Sequence, residues 1–170
     1  MKDNDNYNDN DLKEYFKRCF FAVDGLWFVM LEKQFDFKKA LEIDQQVWQI
    51  FPKIQARKIR ELLGLQDKTT HDLRQALEFK FEAEEYGYEV KTETDHKLEI
   101  VITECPWLKI MLESSRHDLA SEMGKSICLI EYGVWAREFG VELQGTMQTR
   151  LCSDHTPCRL HFAPGEDVDH

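Results

Sequence analysis

Long apolar runs are missing from this chain. None approaches the roughly 18 residues that a bilayer-spanning helix needs, so no membrane partner is expected. HExxH and GxSxG are absent too, which leaves no zinc-protease or serine-hydrolase signature. There is neither a P-loop nor GxGxxG, so nothing indicates nucleotide binding. No CxxC pair occurs, the spacing that gives zinc ribbons their signature. No internal repeat appears, and no linker is rich enough to split the chain. The opening MKDNDNYNDNDLKEY lacks a basic start followed by an apolar stretch. It is not expected to be a secretory signal, and a cytoplasmic location is the expectation.

Positive charge is also in short supply. Lys and Arg number 22 against 32 Asp and Glu, a formal net charge of −10. Such a chain is repelled by nucleic-acid backbones unless its bases cluster. The one basic segment, PKIQARKIR, carries Lys53, Arg57, Lys58 and Arg60. It reads as a solvated helix face with salt bridges to neighbouring acids, so no nucleic-acid partner is expected.

What is present is enough to build a core. The 170 residues are 42% hydrophobic and 12% aromatic, which suits one domain. It is placed at 11–163, between a frayed tail over 1–10 and a loose tail over 164–170. Residues 11–34 read as a helix, with Phe16, Phe20, Trp27 and Leu31 at helical spacing. Asp24 falls on that stripe and must be neutralised, paired or exposed. Residues 36–64 read as a second helix, capped by Asp36 and Gly64 and kinked or broken by Pro52 near Ile50–Phe51. Ala40, Ile43, Val47, Ile50 and Ile54 form its stripe, widened by Leu41, Trp48 and Phe51. Asp24, Asp44, Arg57 and Arg60 are candidates for ion pairs between the two helices.

A third helix covers 70–86, capped by Thr69 or Thr70, with imperfect apolar phasing. The period then changes to two. Residues 86–95 and 97–104 read as an antiparallel hairpin turning at Asp95-His96. Helices return at 106–114, opened by Pro106, and at 118–139. Strands at 141–151 and 158–163 close the chain. This order predicts an α+β fold, an antiparallel sheet with helices packed on one face.

Five cysteines without an expected secretion signal point away from a disulfide framework and towards metal binding or catalysis. Cys105 ends a strand, Cys128 lies in a helix, and Cys152 and Cys158 flank the loop CSDHTPC. Four thiolates from different elements suit tetrahedral zinc; an iron site or iron–sulfur cluster also takes four. The competing reading is buried cysteine as a small hydrophobe, strongest for Cys128. His155 and His161 are candidates to replace one cysteine or to hydrogen-bond a thiolate. Cys19 is read as a core or near-surface thiol without a role.

The segment ICLIEYGVWAREFG, then a strand, a cysteine, a short polar loop and CRLHF, resembles the vinyl-4-reductase type of small-molecule-binding domain. The resemblance implies that Cys128, Cys152 and Cys158 are zinc ligands. Where that family has a glutamate ligand this chain has Thr149, and Cys105 is the natural substitute. More of the chain resembles an uncharacterised prokaryotic family with DGLWF (24–28), ALEIDQQVW and KIQAR (40–57), and a C-terminal run of cysteines ending CRLHF. That family in turn resembles aminothiazoline-carboxylate hydrolase-like proteins.

Two functions compete. In one, the chain is a small-molecule-binding or sensor module, with zinc pinning the cysteines. Its aromatic pocket would draw on Trp27, Trp48, Trp107 and Trp135, with Asp24, Asp44 and Arg57 as polar groups. In the other it is a hydrolase of a small amide- or heterocycle-like substrate. There a metal-bound water works with Glu104 or Glu131 as base and His155 or His161 as shuttle, or a cysteine attacks with His161 as partner. Two helices with wide apolar faces also leave a homodimer open.

Overall fold

The computed structural model describes residues 7–144, 150–153 and 155–164. Residues 1–6 and 165–170 of the expected tails, and 145–149 of the expected strand (Thr149 with them), lie outside the described residues. The chain divides into two compact units, residues 1–43 and 44–170.

The first unit is dominated by α1, Asp9–Gln34. It begins inside the expected tail because Asn8 builds a capping box. The Asn8 side chain accepts from the N–H groups of Asn10 and Asp11, and the Asp11 carboxylate accepts from the Asn8 N–H at 2.8 Å. Phe21 and Phe28 are its buried residues, and Phe28 meets Phe37 edge-on. Phe16 and Trp27, on the anticipated stripe, are each 66% exposed.

Asp36 opens α2, Phe37–Trp48, by accepting the Lys39 N–H at 2.7 Å. The helix stops where Pro52 requires, since proline has no N–H to give. Phe51–Leu63 form α3, with Pro52 in its first turn, and Gly64 closes it at φ +67°. The break turns the apolar pattern. Trp48, Pro52, Ala56 and Ile59 are buried, whereas Val47, Ile50 and Ile54 of the anticipated stripe are exposed. The basic segment is spent on acids. Arg57 and Lys53 reach Glu138 at 2.9 and 3.8 Å, and Lys58 reaches Glu61 at 2.9 Å.

The Thr69 hydroxyl caps α4, Thr70–Glu84, at the Asp72 N–H. The hairpin follows as β1, Gly87–Thr94, and β2, Lys97–Glu104. Pro106–Glu113 form α5 and His117–Glu138 form α6. The last pair is β3, Val141–Leu143, and β4, Cys158–Pro164. β3 is much shorter than expected, and Leu151–Ser153 form a turn, not strand.

All pairings are antiparallel, in the order β1-β2-β4-β3. The β2–β4 register sets Leu98 opposite Phe162, Ile100 opposite Leu160 and Ile102 opposite Cys158. These six share one face and are buried, against Leu73, Leu77 and Phe81 of α4, Tyr132 and Trp135 of α6, and Phe139 just beyond α6. The alternate residues Glu99, Arg159 and His161 lie on the other face. The molecule is therefore an α+β fold with helices covering the apolar face of an antiparallel sheet.

Candidate functional site: a thiol cluster beside a buried ion triad

The four C-terminal cysteines come from four separate elements. Cys158 begins β4 on the core face. Cys105 leaves β2 and is the N-cap residue of α5. Cys128 projects from α6, and Cys152 from the turn before β4. Gly124 lies one turn before Cys128 on α6, and a Cβ there would stand 2.4 Å from the Cys152 Sγ. The missing side chain is what lets the Cys152 thiol lie against the helix. The Cys158 Sγ in turn accepts the Leu151 N–H at 3.4 Å.

None of these four described cysteines is in a disulfide. Burial pushes Cys105 up to about 11, and the Cys158 charge adds to this, while the Leu108 and Trp107 N–H groups at the start of α5 oppose it. Cys128 is raised well above the ordinary thiol range, first by burial and then by the charges of Cys105, Glu131, Cys152 and Cys158. Cys128 is thus the hub: each of the other three thiols acts on it. Such a group resists ionisation until a cation enters, whose charge reverses the local balance. The donor chemistry suits zinc, with thiol sulfurs and backbone N–H groups directed at two of them. Among the described residues, however, no three or more Cys, His, Asp or Glu side chains are drawn together closely enough to hold a metal ion.

Three residues along α6 from Cys128, Glu131 belongs to a buried ion triad. Lys80 Nζ is 2.8 Å from Glu84 Oε2 and 3.0 Å from Glu131 Oε1, with the lysine 1% exposed. Gln55 donates to the second oxygen of Glu84 at 3.0 Å. The ammonium also sits 4.7 Å from the Tyr86 ring centre. Burial favours the neutral amine, but the two carboxylates outweigh it and hold Lys80 protonated. Burial raises Tyr86 and Tyr132 as well, and both feel Glu131 and Cys105. Thiols, tyrosines and triad therefore act on one another through their charges at the edge of an otherwise apolar core.

The sequence reading named Glu131 only as a hydrolase base and missed Lys80 and Glu84. The signal was there: Leu73, Leu77, Lys80 and Glu84 follow one helical stripe. The imperfect phasing of α4 arises because two members of its buried stripe are ionisable.

The expected pocket residues are dispersed. In the second unit Trp48 is buried and meets Trp107 and Phe51 edge-on, each at 5.7 Å. Trp135 is fully buried and stacked on Phe139. Arg57 is committed to Glu138, and Asp44 is half-buried. In the first unit Trp27 is exposed, and burial pushes the half-buried Asp24 up to about 6. A shallow hollow of about 370 Å³ lies between α6 and β3, lined by Leu129, Gly133, Arg137, Glu142 and Leu143.

His155 is exposed with φ +59°. Strand parity puts His161 on the face opposite Cys158, where its Nδ1 is 3.9 Å from Glu99. Glu104 is exposed at the end of β2. Among the described residues no helix is long and apolar enough to cross a membrane.

No curated protein matches the chain. A family of unknown function, DUF6125, matches residues 7–161, a span that takes in every described helix and all four of these cysteines, and the chain belongs to that family.

Proposed function

We propose that the chain is a small-molecule-binding module in which Cys105, Cys128, Cys152 and Cys158 hold one structural zinc ion. What supports this reading is that Cys105, Cys152 and Cys158, each from a different element, all lie near enough to half-buried Cys128 for their charges to act on it, with Gly124 cut away beside Cys152. Buried cysteines used only as hydrophobes would not need backbone N–H groups directed at them, nor a glycine cut away to admit one of them. The resemblance of Cys128, Cys152 and Cys158 to the ligands of vinyl-4-reductase-type domains supports the same set. Zinc would supply charge neutralisation and a cross-link between β2, α6 and β4. Trp107, two residues after Cys105 and half-buried against Trp48, is the aromatic side chain nearest in sequence to the proposed ligands.

The hydrolase reading draws less support. Thiols raised this far are poor nucleophiles at neutral pH. Glu131 is engaged by Lys80, and His161 faces away.

Elemental mass spectrometry on protein purified without oxygen tests the site. About one zinc per chain is expected. Cys128→Ser and Cys158→Ser should each lose the metal and melt earlier. A metal-free, equally stable wild-type protein would sink the proposal, and iron with visible absorbance would replace zinc in it.

A further inference from the structure

The outer face of α1 is apolar and open. Leu12, Phe16, Cys19, Val23, Leu26 and Met30 follow one another at spacings of 4, 3, 4, 3 and 4 residues. That is the a/d pattern of a coiled-coil seam, maintained over most of a 26-residue helix about 39 Å long. Every one of the six is exposed: Phe16 66%, Leu26 59%, Val23 53%, Met30 50% and Leu12 41%, with Cys19 exposed as well. Tyr15 and Trp27 flank the seam at 62% and 66% exposure. The buried pair Phe21 and Phe28 is also seven residues apart, on the opposite side of the helix. The helix thus has two apolar faces, one covered and one bare.

We infer that this bare face is the dimerisation surface of the protein, occupied by α1 of a second copy. Three arguments select that occupant. The first is pattern, because a heptad seam is complementary to another of its own kind, and a two-fold axis lets one sequence supply both sides. Area is the second. The rings of Tyr15, Phe16 and Trp27, about two-thirds exposed, offer roughly 300–500 Å² per copy before the aliphatic chains are added. That already matches the largest apolar patch of a typical monomer, and with Leu12, Val23, Leu26 and Met30 it approaches the ~800 Å² per partner of a stable interface. Charge is the third. α1 carries five acids (Asp9, Asp11, Glu14, Asp24, Glu32) against four bases (Lys13, Lys17, Arg18, Lys33). A helix built to lie on an anionic membrane carries a basic polar face, which α1 lacks.

Sedimentation velocity on the full chain, from about 1 to 100 µM, tests the inference. The wild type should sediment at twice its 20.2 kDa chain mass. The Val23→Glu/Leu26→Glu variant should be monomeric with unchanged helicity, since both positions are exposed. Should that variant misfold, the milder Val23→Ser/Leu26→Ser pair should raise the dimer dissociation constant at least tenfold. Ile50→Glu, at an exposed apolar position outside α1, should leave the dimer intact. A monomeric wild type at the highest concentration overturns the inference. So does a dimer indifferent to the α1 variants, or one dissociated by Ile50→Glu. A monomer that instead floats with phosphatidylcholine–phosphatidylglycerol vesicles would assign the face to lipid.

Discussion

The long helices α1 and α6 differ in what their apolar residues are for. α6 has 22 residues and buries seven: Ala120, Ile127, Glu131, Tyr132, Val134, Trp135 and Ala136. α1 has 26 and buries only Phe21 and Phe28. Both are rich in apolar side chains all round, so neither announces one inward face. In α6 the surplus is absorbed by a sheet and helices, and the cover is tight enough to enclose charges. In α1 the surplus stays outside, arranged as a seam. Apolar content shows that a helix must be covered; spacing shows what kind of cover it wants.

The sharpest way to break the comparison is to remove a charge from each environment. Lys80→Met leaves Glu84 and Glu131 buried without their cation. The expected loss is about 3–5 kcal/mol, or roughly 10 °C in Tm for a chain of this size. Lys33→Met on exposed α1 should stay within about 0.5 kcal/mol. Replacing the whole triad, with Glu84→Leu and Glu131→Leu added to Lys80→Met, should recover much of the loss, because the cost lies in the unpaired carboxylates. Chemical denaturation of the three proteins measures this. A loss under 1 kcal/mol for Lys80→Met would mean that water reaches the triad.

Asp24 provides the corresponding test on α1. Burial raises its carboxyl from 3.8 to about 6. In the unfolded chain it ionises near 4, so between these values the folded state holds a proton that the unfolded state has lost. Its favourable contribution is complete below about pH 4 and is lost as the pH rises through about 6. Asp24→Asn should therefore match wild type near pH 4 and exceed it by about 1–2 kcal/mol at pH 7.5, after discounting for partial exposure. Melting temperatures across pH 4–8 decide it. A constant offset between the two proteins would show that the carboxylate is solvated.

What could be read from the sequence follows from what is local. Thr69, Asp36, Pro52, Gly64 and Pro106 act on their own helix ends, and each helix starts or stops where those residues require. The hairpin turn at Asp95-His96 is equally local. Which face of a helix is buried is not. Val47, Ile50 and Ile54 make a better stripe on paper than Trp48, Pro52, Ala56 and Ile59, yet the break at Pro52 rotates the second set inward. The thiol cluster was half legible. Residue type and the loop between Cys152 and Cys158 drew attention to four positions whose charges act on one another in the fold. Sequence spacing could not show that Gly124 admits one of them, or that Lys80 pairs with Glu131. His161 is the opposite case. Three residues after Cys158 on the same strand, it faces the other way by the period of two, an exclusion that the expected strand 158–163 already carried and that the choice of candidate ligands did not apply.

The smallest effect separates the two helices most cleanly, because it uses one substitution twice. Glycine inside a helix costs about 0.8–1.0 kcal/mol relative to alanine. At Gly25 of α1 nothing lies within 4 Å of the missing Cβ. Gly25→Ala should therefore return most of that difference, roughly 0.5–1 kcal/mol, and it should leave the mass in solution unchanged because Gly25 is off the seam. At Gly124 of α6 the same methyl would stand 2.4 Å from the Cys152 Sγ. The propensity gain is identical, but the thiol must swing away, so Gly124→Ala should be neutral or destabilising and should lose metal. If Gly124→Ala stabilises as much as Gly25→Ala and binds as much metal as the wild type, Cys152 has room to spare and the close approach at Gly124 is not needed for the proposed site. If it stabilises the fold but sheds the metal, the two roles of Cys152 part: its packing against α6 is dispensable, and its place in the thiol cluster is not.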